Sequence, residues 1–148
     1  MKQAITQFLN CKSVAIVGMS SRGIKFGNSA YKELSQKNYK LYPIHPIASE
    51  IDGVKCYTNL TDIADNIDGV FISIPPVETE KVVKQAYEVG IKNVWLQQGA
   101  QSDVVIQFCK ANGINVVHNE CILMFAEPVA SFHKFHRWIW KILGKLPK

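Results

Sequence analysis

No apolar run in the 148-residue chain approaches the ~20 residues a membrane-spanning helix requires, and the opening MKQAITQFLNCK lacks the apolar core of a secretory leader. A cytoplasmic protein is the expectation. Cysteine is sparse: Cys11, Cys56, Cys109 and Cys121 lie far apart and form no C-x-x-C pair. A disulfide scaffold is thereby excluded, and four free, buried thiols are expected. Net charge is also small over most of the chain. Of the net +5, the tail from Ala126 carries +4, through Lys134, Arg137, Lys141, Lys145 and Lys148 against Glu127. The nearly neutral body gives no case for a nucleic-acid partner.

Catalytic signatures are missing too. There is no G-x-S-x-G, no Walker loop and no paired-carboxylate motif, so no catalytic residue is assigned. His133 and His136 stand three apart with no third ligand in helical register, so no metal site is assigned. Repeats, linkers and low-complexity stretches are absent as well. What remains is ordinary globular composition, 47% hydrophobic and 20% charged, in a chain long enough for one domain.

Along that chain, apolar runs ending in glycine or proline alternate with segments of helical spacing. Residues 2–10 suit a lead-in helix with Ile5, Phe8 and Leu9 on one side. SVAIVG, YKLYPI, DGVFISIPP, KNVWLQQG and INVVHNECI read as buried strands. Helices are predicted over 28–37, 78–89 and 102–111, and VKCYTNL as a short edge strand, with Thr61 capping the turn that follows. Strands alternating with helices predict an α/β, Rossmann-like, doubly wound parallel sheet over 1–125 with helices on both faces. Residues 126–148 are predicted to add a basic amphipathic helix. In it Phe132, Phe135, Ile139, Ile142 and Leu143 recur at three- and four-residue steps.

In such a sheet a ligand binds outside the carboxyl ends of the strands. The first of these exits, VAIVGMSSRGIKFG, has the strand–glycine–helix form of a phosphate cradle. Gly18 permits the turn, Ser20 and Ser21 offer hydroxyls, and Arg22 and Lys25 add positive charge. The nicotinamide fingerprint G-x-G-x-x-G fails here, because Ser20 stands at its second glycine. It fails again after the second strand, where LYPIHP has no acid for the ribose hydroxyls. A nucleotide with an extra phosphate is favoured instead, with His45 and Lys40 as candidates to face it.

Six blocks in order, VAIVGMSS, LYPIHP, IDGVKCYTNLTDI, DGVFISIPP, VWLQQGA and VVHNECI, resemble the small stand-alone CoA-binding-domain proteins. These are similar to the CoA-binding Rossmann domain of the succinyl-CoA synthetase alpha subunit. The likeness spans roughly residues 10–125. It implies binding of coenzyme A or an acyl-CoA at the strand ends. Gly18, Ser20, Ser21 and Arg22 would then contact the diphosphate, and Pro43, His45 and Pro46 would flank the adenosine. Family members often carry asparagine at the position of His45. Ile74, Pro75 and Pro76 match the proline loop that lines the nucleotide, and Gln98, Gly99, Asn119 and Cys121 match the remaining blocks. The synthetase carries its phosphorylated histidine in a second domain that this chain is too short to hold.

Three readings follow. The first is a non-catalytic CoA carrier or sensor. The second is the nucleotide-binding part of a CoA-dependent enzyme, or a nicotinamide oxidoreductase. The third is an interaction protein acting through its basic tail, as a homodimer or at a membrane surface. Cys121 suits a core thiol better than a nucleophile, because Glu120 beside it opposes thiolate formation.

Overall fold

In SVAIV, Val14 and Ile16 point to one side and Ala15 and Val17 to the other, and all four are buried. A strand apolar on both faces is stable only between two helical layers. The structure, a computed structural model, describes residues 1–128 together with Arg137, Ile139 and Lys141. The chain runs α1 (Lys2–Leu9), β1 (Ser13–Val17), α2 (Phe26–Ser35) and β2 (Lys40–Ile44), then a hairpin of β3 (Glu50–Ile51) and β4 (Val54–Lys55). After it come β5 (Gly69–Ile72), α3 (Pro76–Glu88), β6 (Asn93–Gln97), α4 (Asp103–Ala111) and β7 (Asn115–Glu120). Short 3-10 segments cover Thr61–Asn66 and Ile122–Met124.

The five long strands form one parallel sheet in the order β2-β1-β5-β6-β7. This is the Rossmann-like architecture that the alternating pattern predicts. Period-two alternation divides the core into two layers. Ile16, Phe71, Trp95 and Val117 face α1, α2 and the 122–124 turn, while Val17, Ile72, Leu96 and Val116 face α3 and α4. Trp95 anchors the first layer: it is fully buried, meets Phe8 edge-on at 5.4 Å and donates its indole N–H to Glu120 O. Burying an aromatic of that size contributes about 2–3 kcal/mol, provided its N–H finds an acceptor, as it does here.

Local chemistry moved several boundaries. α2 begins at Phe26 rather than at 28, because its second residue, Gly27, must press against the loop below, and it ends at Ser35 rather than at 37. α3 starts at Pro76, since a proline in the first turn has no N–H to waste. α4 starts as the sequence suggests, with Ser102 Oγ accepting from Val105 N. Thr61 does not cap; Asn59 Oδ1 accepts from Asp62 N instead. VKCYTNL is not an edge strand of the main sheet. Val54 and Lys55 pair back on Glu50 and Ile51, and only Tyr57 bridges the sheet, accepting from His45 N and donating to Pro43 O, both at 2.9 Å.

All four cysteines are free and buried. Burial lifts the thiols of Cys11 and Cys109 to about 11. Among the described residues no helix is long and apolar enough to cross a membrane. Of the tail stripe only Ile139 is described, helical like Arg137 and Lys141; Phe132, Phe135, Ile142 and Leu143, with His133 and His136, lie outside the described residues. Arg137 pairs with Glu127 at 2.9 Å and lies over the Phe125 ring, and Lys37, in the turn after α2, donates to Ala126 O and Pro128 O.

Candidate functional site

The chain leaves β1 for β2 on one side and then crosses to β5 on the other, so strand order reverses at β1. A crevice opens above such a point because the two connecting loops diverge. Two glycines shape it. Gly18 has φ +119°, and a Cβ there would lie 2.3 Å from Ser73 O. On Gly27 a Cβ would lie 2.3 Å from Gly18 O, so α2 rests on the loop backbone to backbone. Gly27 thus does the work of the helix-packing glycine in a dinucleotide fingerprint, nine residues after Gly18.

The missing second glycine also has an explanation. Asn28, buried in α2, accepts from Ser20 N and donates to Ser20 O, both at 2.9 Å. With its amide engaged inside the protein, Ser20 has no need to bring that N–H up to a pyrophosphate, and a side chain is tolerated. Its Oγ is a different matter: it is buried and has no hydrogen-bond partner. A buried hydroxyl left in that state costs about 1–3 kcal/mol.

Two connected grooves run across the strand ends. The first, about 340 Å³, has Val17, Gly18 and Ile74 at its base and Ile44, His45, Pro46 and Thr58 on one wall. Its other wall is α3, through Glu78, Lys81, Val82 and Gln85. The second, about 450 Å³, runs from Lys25 and Phe26 past Ser73, Pro75 and Pro76 to Gln98, Gly99 and Ala100. Lys25 and Ile74 line both grooves and so mark their junction. A larger depression of about 620 Å³ lies along Lys2, Gln3, Thr6, Gln7 and Asn10. It is an open face of α1 alone, with no second wall to enclose a ligand.

Gly18, Lys25, His45, Pro46, Ile74, Pro75, Pro76, Gln98 and Gly99 are therefore brought together. Ser20, Ser21 and Arg22 belong to the adjoining loop and line neither groove; Ser21 and Arg22 are exposed. Pro43 is buried within β2, its carbonyl engaged by Tyr57. Asn119 and Cys121 sit at the exit of β7, the outermost strand, beyond β6 and away from the reversal point. Asn119 makes the turn there at φ +62° and accepts from Gln98 Nε2 at 3.2 Å, while Cys121 packs into the α1 and α2 layer. Lys40 is misplaced by the sequence reading. It opens β2, about 13 Å of extended chain from Ile44 and at the opposite edge of the sheet, with its ammonium over Tyr42.

His45 has a structural duty alongside its place in the groove. Its Nδ1 accepts from Ile47 N at 3.2 Å and Ala48 N at 2.8 Å, which assigns the proton to Nε2. An asparagine side-chain oxygen would close the same turn, so the two residue types are interchangeable in that role. Thr79, fully buried, directs its hydroxyl at Ile74 O and Pro75 O and holds the proline loop against α3.

The sequence reading passed over Asn28, Thr58, Thr79 and the α3 wall. A signal for the wall was present. Glu78, Lys81, Val82 and Gln85 recur at three- and four-residue steps, but they overlap the more conspicuous apolar stripe through Val83 and Ala86. Glu78 also gives the groove the acid that β2 does not supply, from the facing wall. Glu120 was noticed only as the neighbour of Cys121. It is 7% exposed, its Oε2 has no partner, and burial pushes its carboxyl from 4.5 to about 7. Among the described residues no cluster of three His, Cys, Asp or Glu is placed to hold a metal.

Several known proteins are similar to this chain in sequence and fold. Over 119 residues the chain is 32% identical to the ADP-forming acetate–CoA ligase of Methanocaldococcus jannaschii, a match that takes 75% of this chain and 17% of the ligase. The Bacillus subtilis protein YneT is 28% identical over 111 residues, with 75% of this chain and 82% of that one matched. A solved protein from Pyrococcus horikoshii superposes with a TM-score of 0.79 at 30% identity, covering 87% of this chain and 92% of that one. The pattern of the CoA binding domain runs through residues 12–127, from the start of β1 to the turn after β7, and this chain belongs to that family.

Proposed function

We propose that the protein binds coenzyme A or an acyl-CoA across the carboxyl ends of its strands, as a carrier or sensor module without a catalytic constellation of its own. The observation that carries this is the two-part groove joined at Lys25 and Ile74 across the strand ends. A compact mononucleotide needs one groove; an adenosine diphosphate extended by a pantetheine arm needs two. The residues fit that ligand in order. Ile44, Ile74 and Val82 offer aliphatic faces to a base, Gly18, Lys25 and the start of α2 meet the diphosphate, and Pro75, Pro76, Gln98 and Gly99 flank the arm.

The ligase relative is several times longer than this chain, so its reaction is not transferred. A nicotinamide dinucleotide is the second reading. Glu78 favours it, since the groove does hold a carboxylate within reach of ribose hydroxyls. A thermal-shift panel of CoA, acetyl-CoA, NAD, NADP and ATP separates the two. At 100 times Kd a ligand specific for the folded state adds about 2.7 kcal/mol, enough for a shift of several degrees. CoA and acetyl-CoA are expected to raise the Tm and NAD much less. A shift with NAD and none with CoA overturns the reading.

The junction makes a finer test. Lys25→Ala is expected to weaken CoA about tenfold and to flatten the salt dependence of binding, because a charge-assisted contact to phosphate is lost. Arg22→Ala, on an exposed residue lining neither groove, should cost less. Calorimetric titration at two salt concentrations measures both, and the reverse ranking would move the diphosphate away from the junction.

A further inference from the structure

Glu78, Lys81, Val82 and Gln85 form one face of α3 and the whole of one groove wall. Their chemistry runs from a carboxylate through an ammonium and an aliphatic surface to an amide. Gln85 is held in place, its Oε1 accepting from Leu60 N at 3.4 Å, which leaves its two N–H donors for the groove. Among the described residues two lysines line the groove system, at different places. Lys25 stands where the two grooves meet, whereas Lys81 lines only the first, on the wall facing His45 and Thr58. A ligand that satisfies both carries two anionic groups at separate places, one midway along its length and one on its nucleoside. Lys40, the candidate suggested by the sequence for the second group, is at the far edge of the sheet.

We infer that α3 is the wall that sets specificity, Lys81 taking the phosphate on the nucleoside ribose and Glu78 accepting from the neighbouring ribose hydroxyl, so that the site selects ligands by that phosphate. The inference rests on the coenzyme A reading and deepens it. The two side chains are three residues apart on one face of α3, close enough for their flexible ends to converge on one ribose. Lys84, a turn further along, is a built-in control: it pairs with Glu80 at 2.7 Å and does not line the groove.

The test is calorimetric titration of CoA and dephospho-CoA, which differ only in the ribose phosphate, into the wild type, Lys81→Gln, Lys84→Gln and Glu78→Gln at low ionic strength. The wild type is expected to prefer CoA by about tenfold or more. Lys81→Gln should remove most of that preference by weakening CoA while leaving dephospho-CoA unchanged. Lys84→Gln should alter neither, and Glu78→Gln should weaken dephospho-CoA more than CoA, since both lose the hydroxyl contact but only CoA is relieved of a like charge beside its phosphate. Equal binding of the two ligands by the wild type overturns the inference and leaves the coenzyme A reading standing. So does a Lys81→Gln variant that weakens both alike. Failure of the wild type to bind either ligand removes the coenzyme A reading itself, and this inference with it.

Discussion

Replacing Gly18 by alanine is expected to destabilise the protein by about 3–5 kcal/mol, a large share of the 5–15 kcal/mol typical of a domain. Two costs add. A φ of +119° is foreign to an L side chain, worth about 1–3 kcal/mol of strain. The new methyl would also sit 2.3 Å from Ser73 O and 2.8 Å from Ser73 C. Those atoms are backbone, held by the Ser73 N to Val17 O bond at 2.8 Å, so β1 and β5 must part where the crevice begins; forced overpacking costs about 1–3 kcal/mol more. Two companion variants separate the terms. Gly113→Ala has the positive φ with nothing within 4 Å, and Gly27→Ala has the close approach, 2.3 Å to Gly18 O, without the positive φ. Urea denaturation should rank Gly18→Ala below both in midpoint, at unchanged m. A Gly18→Ala protein no less stable than Gly113→Ala would show that the two strand ends are not in contact.

Glu120→Gln is expected to act in the opposite direction, stabilising the protein by about 2–3 kcal/mol above pH 7 and by almost nothing below pH 4.5. The carboxyl is desolvated at the end of β7, only partly offset by the charge of the amino terminus, so its folded value rises from 4.5 to about 7. Between those values the folded protein keeps the proton that the unfolded chain releases. The folded state binds more protons, and stability falls as pH rises through that window. Glutamine resembles the protonated form at every pH and escapes the loss. His118 opposes this on the acid side: burial, Lys110 and the amino terminus hold its value low, so its own penalty grows as pH falls. The difference in urea midpoint between wild type and variant, followed from pH 4 to 9, isolates Glu120 because the His118 contribution is common to both. A difference that does not change with pH would place the Glu120 carboxylate in contact with water.

The amino-acid sequence determined the layers. Apolar runs with two buried faces, alternating with helical stripes, leave a parallel sheet between helices as the one arrangement that buries Ile16 and Val17 at once, and the order of strands and helices could be read before any coordinate. It also located the strand exits, because Gly18, Pro46, Pro75 and Gly99 are residues that end strands by their own backbone chemistry. The sequence could not say which exits meet. That depends on strand order, which sets β7 two places from β5 and so leaves Asn119 and Cys121 beside the crevice rather than in it. Nor did it show the partner of each side chain. Lys40 and Lys81 look alike in the sequence, yet one opens a strand at the far edge and the other lines a helix wall over the groove. Ser20 read as a lost glycine until Asn28 was found holding both of its backbone groups. Pattern and backbone preference are local and survive in one dimension. Contact between residues far apart in the chain is a property of the packed solid, and only the tertiary structure decided it.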